Sequence, residues 1–133
     1  MVTVVVADDQ APFRRAAGAV LAATPGFELL AEAISGEQAV ALARSLEPDL
    51  ILMDIRMPGI GGIEATRRIT ACGPGTVVVL VSSYREHDLP GDARSCGAAA
   101  YVHKDGFGRR VLEEVWNGPR PSASARKGRG APP

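Results

Sequence analysis

Apolar and polar positions along the first 117 residues follow two alternating patterns. Five short runs, most of them rich in Val, Ile and Leu, predict β-strands at residues 2–7, 27–33, 50–53, 76–81 and 98–102. The segments that follow the strands carry apolar residues at helical spacing, for example Phe13, Ala17 and Leu21. A strand and a helix repeated five times, (βα)5, predict an α/β fold: a doubly wound parallel five-stranded sheet with helices on both faces.

Residues that start or stop secondary structure mark several boundaries of these elements. Ser35 and Gln38 have the spacing of a capping box and predict a helix start, and Pro48 predicts where that helix stops. Glu28 and Glu32 in the second strand favour a position at the edge of the sheet, because charged side chains protect an exposed edge.

The fourth helix departs from the regular pattern. Pro90 follows Leu89, and a residue that precedes proline avoids the helical region of backbone dihedral angles. Pro90 and Gly91 therefore suit the start of a helix better than its middle. We expect this helix to begin near Pro90 and to be short.

Composition and charge narrow the class of protein. The 133 residues are 46% hydrophobic and 23% charged, which is typical of a globular domain. The formal net charge is zero, but four basic residues after Asn117 leave 11 basic and 15 acidic side chains in residues 1–116, a net charge of −4. An acidic body argues against general nucleic-acid binding and fits a protein that handles cations.

The termini and the cysteines predict the domain boundary and the cellular compartment of the protein. Residues 118–133 are rich in Pro, Ser, Ala, Gly and Arg, which predicts a disordered basic tail or linker after one domain at 1–117. No apolar run reaches the roughly 20 residues of a membrane span, and no signal peptide is visible. Cys72 and Cys96 form no metal or redox motif. We expect a cytoplasmic chain with free thiols and no membrane contact.

Polar side chains stand at the carboxyl ends of four predicted strands. In chain order these residues are Asp8 and Asp9, Asp54, Ser82 and Ser83, and His103 and Lys104. Because ligands of parallel α/β sheets bind beyond these ends, we expect three carboxylates, a hydroxyl and an ammonium to meet at one rim.

Such a rim suits a metal-assisted phosphoryl transfer. Three close carboxylates repel one another, and an oxygen-rich site with open water positions suits Mg²⁺, or Mn²⁺ in its place. A cation and a lysine together neutralise charge in phosphoryl transfer. Each feature taken alone also has a structural interpretation: Asp8 and Asp9 as a helix N-cap and a first-turn acid, Asp54 as another cap, Ser82 and Ser83 as a turn, and Lys104 as a solvated strand end. Their joint occurrence at four strand ends favours a site.

Four segments together resemble the receiver domain of two-component response regulators, over residues 1 to about 117. They read Val-Val-Val-Ala-Asp-Asp at 4–9, Asp-Ile-Arg-Met-Pro-Gly at 54–59, Val-Leu-Val-Ser-Ser-Tyr at 79–84 and Gly-Ala-Ala-Ala-Tyr-Val-His-Lys-Asp at 97–105. The third and fourth segments are most similar to the NarL/LuxR-type subgroup, in which the receiver precedes a helix-turn-helix domain. The resemblance implies a flavodoxin-like fold with strand order 2-1-3-4-5.

The resemblance also implies a role for each matching residue. Asp54 would be the phosphoacceptor. Asp9, Asp54 and the backbone carbonyl of Arg56 would ligate Mg²⁺, with Asp8 holding a metal-bound water.

Three further residues would act on the phosphoryl group or respond to it. Lys104 would pair with Asp54 and then with the phosphoryl oxygens. Ser82 would hydrogen-bond the phosphoryl group, and Tyr101 would be the rotamer switch that follows.

The implied function is a phosphoacceptor module that takes a phosphoryl group from a sensor histidine kinase and switches an output, most simply transcription. Such a module catalyses only its own phosphorylation and dephosphorylation. It would form a homodimer when phosphorylated, and it would reach DNA only through a C-terminal effector domain. No such domain fits between residue 117 and Pro133, so a truncated chain and a stand-alone receiver both remain open.

Other functions stay open as alternatives. The main one is a degenerate receiver that binds partners without phosphorylation, although the acids, the hydroxyl and the lysine are all present. An aspartate-nucleophile phosphatase has a second Asp two residues after its nucleophile, where this chain has Arg56. A nucleotide-binding module would need a glycine-rich phosphate loop after the first strand, where Asp8 and Asp9 stand instead.

Overall fold

A computed structural model describes residues 1–72 and 75–119, and most of the predicted tail at 118–133 lies outside these residues. The described strands are β1 (Val2–Ala7), β2 (Phe27–Ala33), β3 (Leu50–Asp54), β4 (Val77–Ser82) and β5 (Ala100–His103). They pair in parallel in the order β2-β1-β3-β4-β5. The doubly wound α/β fold and its strand order are therefore confirmed.

Burial along the strands follows their place in the sheet. Every residue of β3 and β4 is buried, because both strands are central and covered on both faces. In contrast, β2 alternates between exposed and partly buried positions, with Glu28 and Glu32 on its exposed side. The prediction that β2 lies at the sheet edge is confirmed.

The described α-helices are α1 (Ala11–Ala23), α2 (Gly36–Leu46), α3 (Gly61–Cys72) and α4 (Arg109–Asn117). The predicted capping box starts α2: the Ser35 hydroxyl accepts from the Gln38 backbone N–H at 3.1 Å, and Gln38 Oε1 accepts from the Ile34 N–H at 2.9 Å. The helix ends at Leu46, two residues before Pro48.

Two hydrophobic cores lie on opposite faces of the sheet, because successive strand residues point to opposite sides. On one face, α2 and α3 pack over strand residues such as Val5, Ile51 and Met53. On the other, α1 and α4 pack over neighbours such as Val6 and Leu52. This arrangement leaves the carboxyl ends of β1, β3, β4 and β5 uncovered along one rim.

The connection between β4 and β5 replaces a regular α-helix with two short 3₁₀ turns, Glu86–Asp88 and Gly91–Arg94. The second turn begins directly after Pro90, as expected, but its hydrogen bonds, from the Ala93 N–H to the Pro90 carbonyl and from the Ser95 N–H to the Asp92 carbonyl, span three residues as in a 3₁₀ turn. Pro90 has an extended backbone, with φ −54° and ψ 145°, and Gly97, with φ +104°, follows the turn. The prediction of five α-helical repeats is therefore wrong at this position, where 3₁₀ turns stand in place of an α-helix.

The two cysteines are free thiols in the structure, Cys72 exposed and Cys96 buried. Cys96 lies behind the second 3₁₀ turn, where its Sγ donates to the Ala93 carbonyl at 3.3 Å. Across both described ranges, no helix combines the length and the apolar character that crossing a bilayer requires.

Gly62 lies where α3 meets the end of β3. Its N–H donates to the Ile55 carbonyl at 3.0 Å, and a Cβ at this position would collide with the Asp54 carbonyl oxygen. We expect Gly62→Ala to lower the free energy of unfolding by about 1–3 kcal/mol, because the backbone of β3 or α3 must shift. Urea unfolding followed by circular dichroism measures the change.

Gly18 in α1 provides the matched control. A Cβ there would have Leu29 Cδ2 as its nearest described neighbour, at an ordinary 3.7 Å. Gly18→Ala should therefore raise stability by about 0.5–1 kcal/mol through helix propensity alone. Equal effects of the two substitutions would contradict the close approach at Gly62.

Candidate functional site

Three carboxylates predicted from the strand ends lie together at the rim. The register that pairs Ala7 of β1 with Met53 of β3 places Asp8 beside Asp54. Carboxylate oxygens of Asp8, Asp9 and Asp54 lie within 4.8 Å of one another. Asp8 and Asp54 are buried, whereas Asp9 is exposed. The structure thus joins two acids almost removed from water to a third that faces solvent.

Gln10 and Arg14 hold Asp8 in place. The Asp8 Oδ1 accepts the Gln10 N–H at 2.8 Å in a local turn. The alternative interpretation of Asp8 as a helix cap is wrong, because Gln10 is the N-cap of α1 and no side chain caps that helix. The Asp8 backbone carbonyl accepts from the Arg14 guanidinium at 2.8 Å, and the Arg14 Nε donates to Glu32 at 2.8 Å. No sequence pattern indicated this role of Arg14, because the residue lies in an ordinary helical segment.

Lys104 supplies the positive charge at the cluster. It begins a 3₁₀ turn, Lys104–Gly106, directly after β5. Its Nζ lies 2.7 Å from Asp8 Oδ2 and 3.6 Å from Asp54 Oδ2. The resemblance implied a pair with Asp54, and the structure places Lys104 between the two acids and closer to Asp8.

The pKa of Asp54 is raised from 3.8 to about 6. Burial is the largest cause, because it disfavours the charged carboxylate, and the negative charge of Asp8 adds to it. The Lys104 ammonium and the Arg56 backbone N–H act in the opposite direction and do not compensate. The site therefore holds Asp54 in an environment that is short of positive charge.

The donor atoms fit a hard divalent cation. Asp8 Oδ2 is buried, and within the described residues it accepts no hydrogen bond of normal geometry, although the Lys104 ammonium lies 2.7 Å away as an ion-pair partner. Asp9 and Asp54 each place a carboxylate oxygen within 4.8 Å of an oxygen of Asp8, so one cation could contact all three residues. Oxygen ligands of this kind, with one side open to water, are what Mg²⁺ prefers.

Ser82, Tyr101 and His103 occupy the β4 and β5 side of the rim. The Ser82 oxygen is buried and accepts the Tyr84 N–H at 3.2 Å, which is the turn that a structural interpretation predicts. The Tyr101 hydroxyl donates to the Ala93 carbonyl at 2.9 Å and so holds the second 3₁₀ turn of the β4–β5 connection.

His103 takes part in local structure and lies apart from the acidic cluster. Its Nδ1 accepts the Asp105 N–H at 3.1 Å, which leaves the proton on Nε2 facing the Ser83 carbonyl at 3.1 Å. A neutral imidazole satisfies both contacts. His103 thus ties the loop after β4 to the turn that carries Lys104.

Asp9, Asp54, Ser82 and Lys104 line a cleft of about 560 Å³. Its wall includes Arg56 and Tyr84, with the Arg56 guanidinium carbon 5.9 Å from the centre of the Tyr84 ring. Sequence reasoning assigned no role to Tyr84, although the residue belongs to a segment that carried the resemblance.

A comparison of the sequence with family profiles settles the family. The profile described as the response regulator receiver domain matches residues 4–115. The chain belongs to this family. It is the receiver domain of a response regulator, a signalling module of two-component systems.

Sequence relatives of the receiver domain are response regulators. It is 40% identical over 104 residues to the response regulator GacA of Pseudomonas aeruginosa, covering 78% of this chain and 49% of that protein. It is 34% identical over 127 residues to UvrY of Escherichia coli, covering 93% of this chain and 58% of that protein. The chain therefore spans about half the length of the curated relatives it matches.

Solved structures of receiver domains have the same fold. The signal receiver domain of a response regulator named NarL from Mycobacterium tuberculosis superposes with a TM-score of 0.79 at 30% identity, covering 88% of this chain and 98% of that one. A LuxR-family DNA-binding response regulator from Staphylococcus aureus gives 0.78 at 27% identity, covering 88% and 97%. The subgroup suggested by the sequence is the one found.

The raised pKa of Asp54 predicts how stability depends on pH in the metal-free protein. Because the folded pKa of about 6 exceeds the ordinary 3.8, the folded chain holds this proton more tightly than the unfolded chain. The contribution of Asp54 is therefore fully present below pH 4 and is lost as the pH rises through 6. We expect Asp54→Asn to raise the free energy of unfolding by about 2 kcal/mol near pH 7.5 and by little near pH 4.

Urea unfolding in EDTA at several pH values measures this difference. Glu28→Gln is the control, because Glu28 is an exposed carboxylate on β2, far from the site. Its effect should not change over the same pH range. A difference between Asp54→Asn and the parent chain that stays constant with pH would contradict the raised pKa.

Proposed function

We propose that this receiver domain takes a phosphoryl group from a sensor histidine kinase onto Asp54. The observation that supports this most is the setting of Asp54: a buried carboxylate at the end of the central strand, in an open cleft, between further acids and one lysine. Family membership adds the kinase, since receiver domains act with histidine kinases. Output through transcription belongs to the same proposal, by way of an effector region outside this chain.

A divalent cation, Mg²⁺ or Mn²⁺, is part of the proposal. Asp9, Asp54 and the Arg56 backbone carbonyl would hold it, and Asp8 would act through a water molecule. When bound, the cation would neutralise the clustered carboxylates and the incoming phosphoryl oxygens.

The residues of the chain then divide the reaction between them. An oxygen of Asp54 bonds to phosphorus as the bond from phosphorus to the donor nitrogen breaks, and the donor imidazole keeps that electron pair. Lys104 moves from Asp8 toward the phosphoryl oxygens, a short step because it already lies 3.6 Å from Asp54. The Ser82 oxygen accepts from Tyr84, so its hydroxyl proton is the part that can turn to the phosphoryl group.

The hydrogen bond from Ser82 to the phosphoryl group would also connect the site to the surface formed by the β4–β5 connection. Turning Ser82 toward the phosphoryl group draws the loop after β4 inward, and that loop continues into the turn at Gly91–Arg94. The Tyr101 hydroxyl bonds this turn through the Ala93 carbonyl. A charge-assisted hydrogen bond of about 1.5–3 kcal/mol is enough to shift such a two-state contact. Homodimerisation on phosphorylation would use the surface formed by the loop after β4 and the turn at Gly91–Arg94.

Phosphorylation itself can be measured by intact mass. Incubation with acetyl phosphate and Mg²⁺ should add about 80 Da to the parent chain. Asp54→Asn should abolish the shift, because the amide cannot attack phosphorus. Asp9→Ala should need more Mg²⁺ for the same shift than Asp8→Ala, since Asp9 is the proposed direct ligand.

Two outcomes would point elsewhere. A shift that survives Asp54→Asn would place the acceptor on another residue. A parent chain that remains unmodified with small phosphodonors and with a histidine kinase would favour the alternative function, a degenerate receiver that binds partners without phosphorylation.

The switch can be measured by backbone amide exchange with and without beryllofluoride, which stands in for the acyl phosphate. Protection should change in residues 82–95 and at Tyr101. In Tyr101→Phe the turn at Gly91–Arg94 should exchange faster even without beryllofluoride, because the Ala93 carbonyl loses its partner. Changes confined to Asp8, Asp9 and Asp54 would mean that the domain binds the ligand without switching this face.

A further inference from the structure

We propose that Phe13 is a positioning residue for Lys104, and that the face of its ring holds the lysine ammonium at the acidic cluster. The inference rests on the proposed function, because its consequence is a faster phosphoryl transfer to Asp54. Phe13 lies in the first turn of α1 and touches none of the reacting atoms. Its effect would therefore act entirely through Lys104.

The geometry places the ammonium between charges and a ring. Lys104 Nζ lies 5.1 Å from the centre of the Phe13 ring, within the range in which a cation is attracted to an aromatic face. Two carboxylates, 2.7 Å and 3.6 Å away, contact the same ammonium. The lysine side chain is only 17% exposed, so little of its surroundings is water.

A second aromatic ring supports the first. The rings of Phe13 and Phe107 lie 5.8 Å apart at 57°, a tilted arrangement that aromatic pairs favour. Phe107 directly follows the turn Lys104–Gly106, so the same short segment carries the lysine and the ring that supports Phe13. The two rings thus connect the start of α1 to the loop after β5.

This contact matters because lysine is flexible and Asp8 competes for it. A four-carbon side chain has many conformations, and nothing in lysine itself directs the ammonium toward Asp54 rather than Asp8. A ring face attracts the cation without neutralising it, which leaves its charge available for phosphoryl oxygens. A leucine at position 13 would fill similar space and offer no such attraction.

The test separates the ring face from its volume. In Phe13→Leu we expect the maximal rate of phosphorylation by acetyl phosphate to fall about 3- to 10-fold, while the phosphodonor concentration for half-saturation changes little. Replacing Phe13 with phenylalanines of increasing fluorination keeps the shape and weakens the negative ring face, so the rate should fall in steps. Phe13→Tyr keeps the aromatic ring face and should retain most of the parent chain's phosphorylation rate.

Two controls isolate the contact with the lysine. Phe27→Leu removes a partly buried ring that packs against the same hydrophobic core, at the opposite end of the sheet, and should leave the rate unchanged. In a Lys104→Met background, Phe13→Leu should have no further effect on the residual rate. Equal losses with and without the lysine would mean that Phe13 acts through packing, which overturns the proposal.

A measurement on the unphosphorylated protein tests the contact directly. The Phe13 ring current should shift the terminal methylene protons of Lys104 upfield in NMR spectra, and Phe13→Leu should remove the shift. This inference alone is overturned if the parent chain lacks the upfield shift. It is also overturned if the parent chain becomes phosphorylated and the fluorinated series keeps a constant rate. A parent chain that takes up no phosphoryl group overturns the proposed function and this inference with it.

Discussion

The Lys104 ammonium lies between the carboxylates of Asp8 and Asp54, two acidic groups that the fold almost removes from water. Burial raises the pKa of Asp54, the negative charge of Asp8 raises it further, and the single positive charge of Lys104 does not compensate. The arrangement costs stability in the isolated domain, and it favours added positive charge, which a phosphoryl group would also need beside it. The chemistry proposed for the domain depends on that imbalance.

The surrounding structure keeps the acids in place despite their repulsion. Arg14 bonds the Asp8 carbonyl and Glu32, so the turn after β1 is tied to α1 and to the edge strand. The absence of a side chain at Gly62 lets α3 approach the end of β3 at Asp54. The Phe13 ring contacts the Lys104 ammonium, with its centre 5.1 Å from Nζ. None of these residues meets a phosphoryl group in the proposal, yet each contacts a residue of the proposed site.

The β4–β5 connection is the least regular part of the described fold. Two 3₁₀ turns take the place of an α-helix, and Ala93, which is fully buried, anchors the second turn to the core. The carbonyl of Ala93 accepts from both Tyr101 and Cys96. A short turn held by a few bonds can be displaced at lower free-energy cost than a packed helix, which suits a segment proposed to respond to phosphorylation.

Sequence patterns alone determined the sheet, its edge strand and the position of the acids, because strand burial and strand ends depend on local order. The resemblance supplied the strand order, which no periodicity could give. Only the tertiary structure decided that Lys104 lies closer to Asp8 than to Asp54, that Arg14 and Phe13 support the cluster, and that Tyr101 bonds Ala93. These contacts join residues that lie far apart in sequence or on ordinary helical faces, and their distances follow from how α1 and the β5 loop pack together.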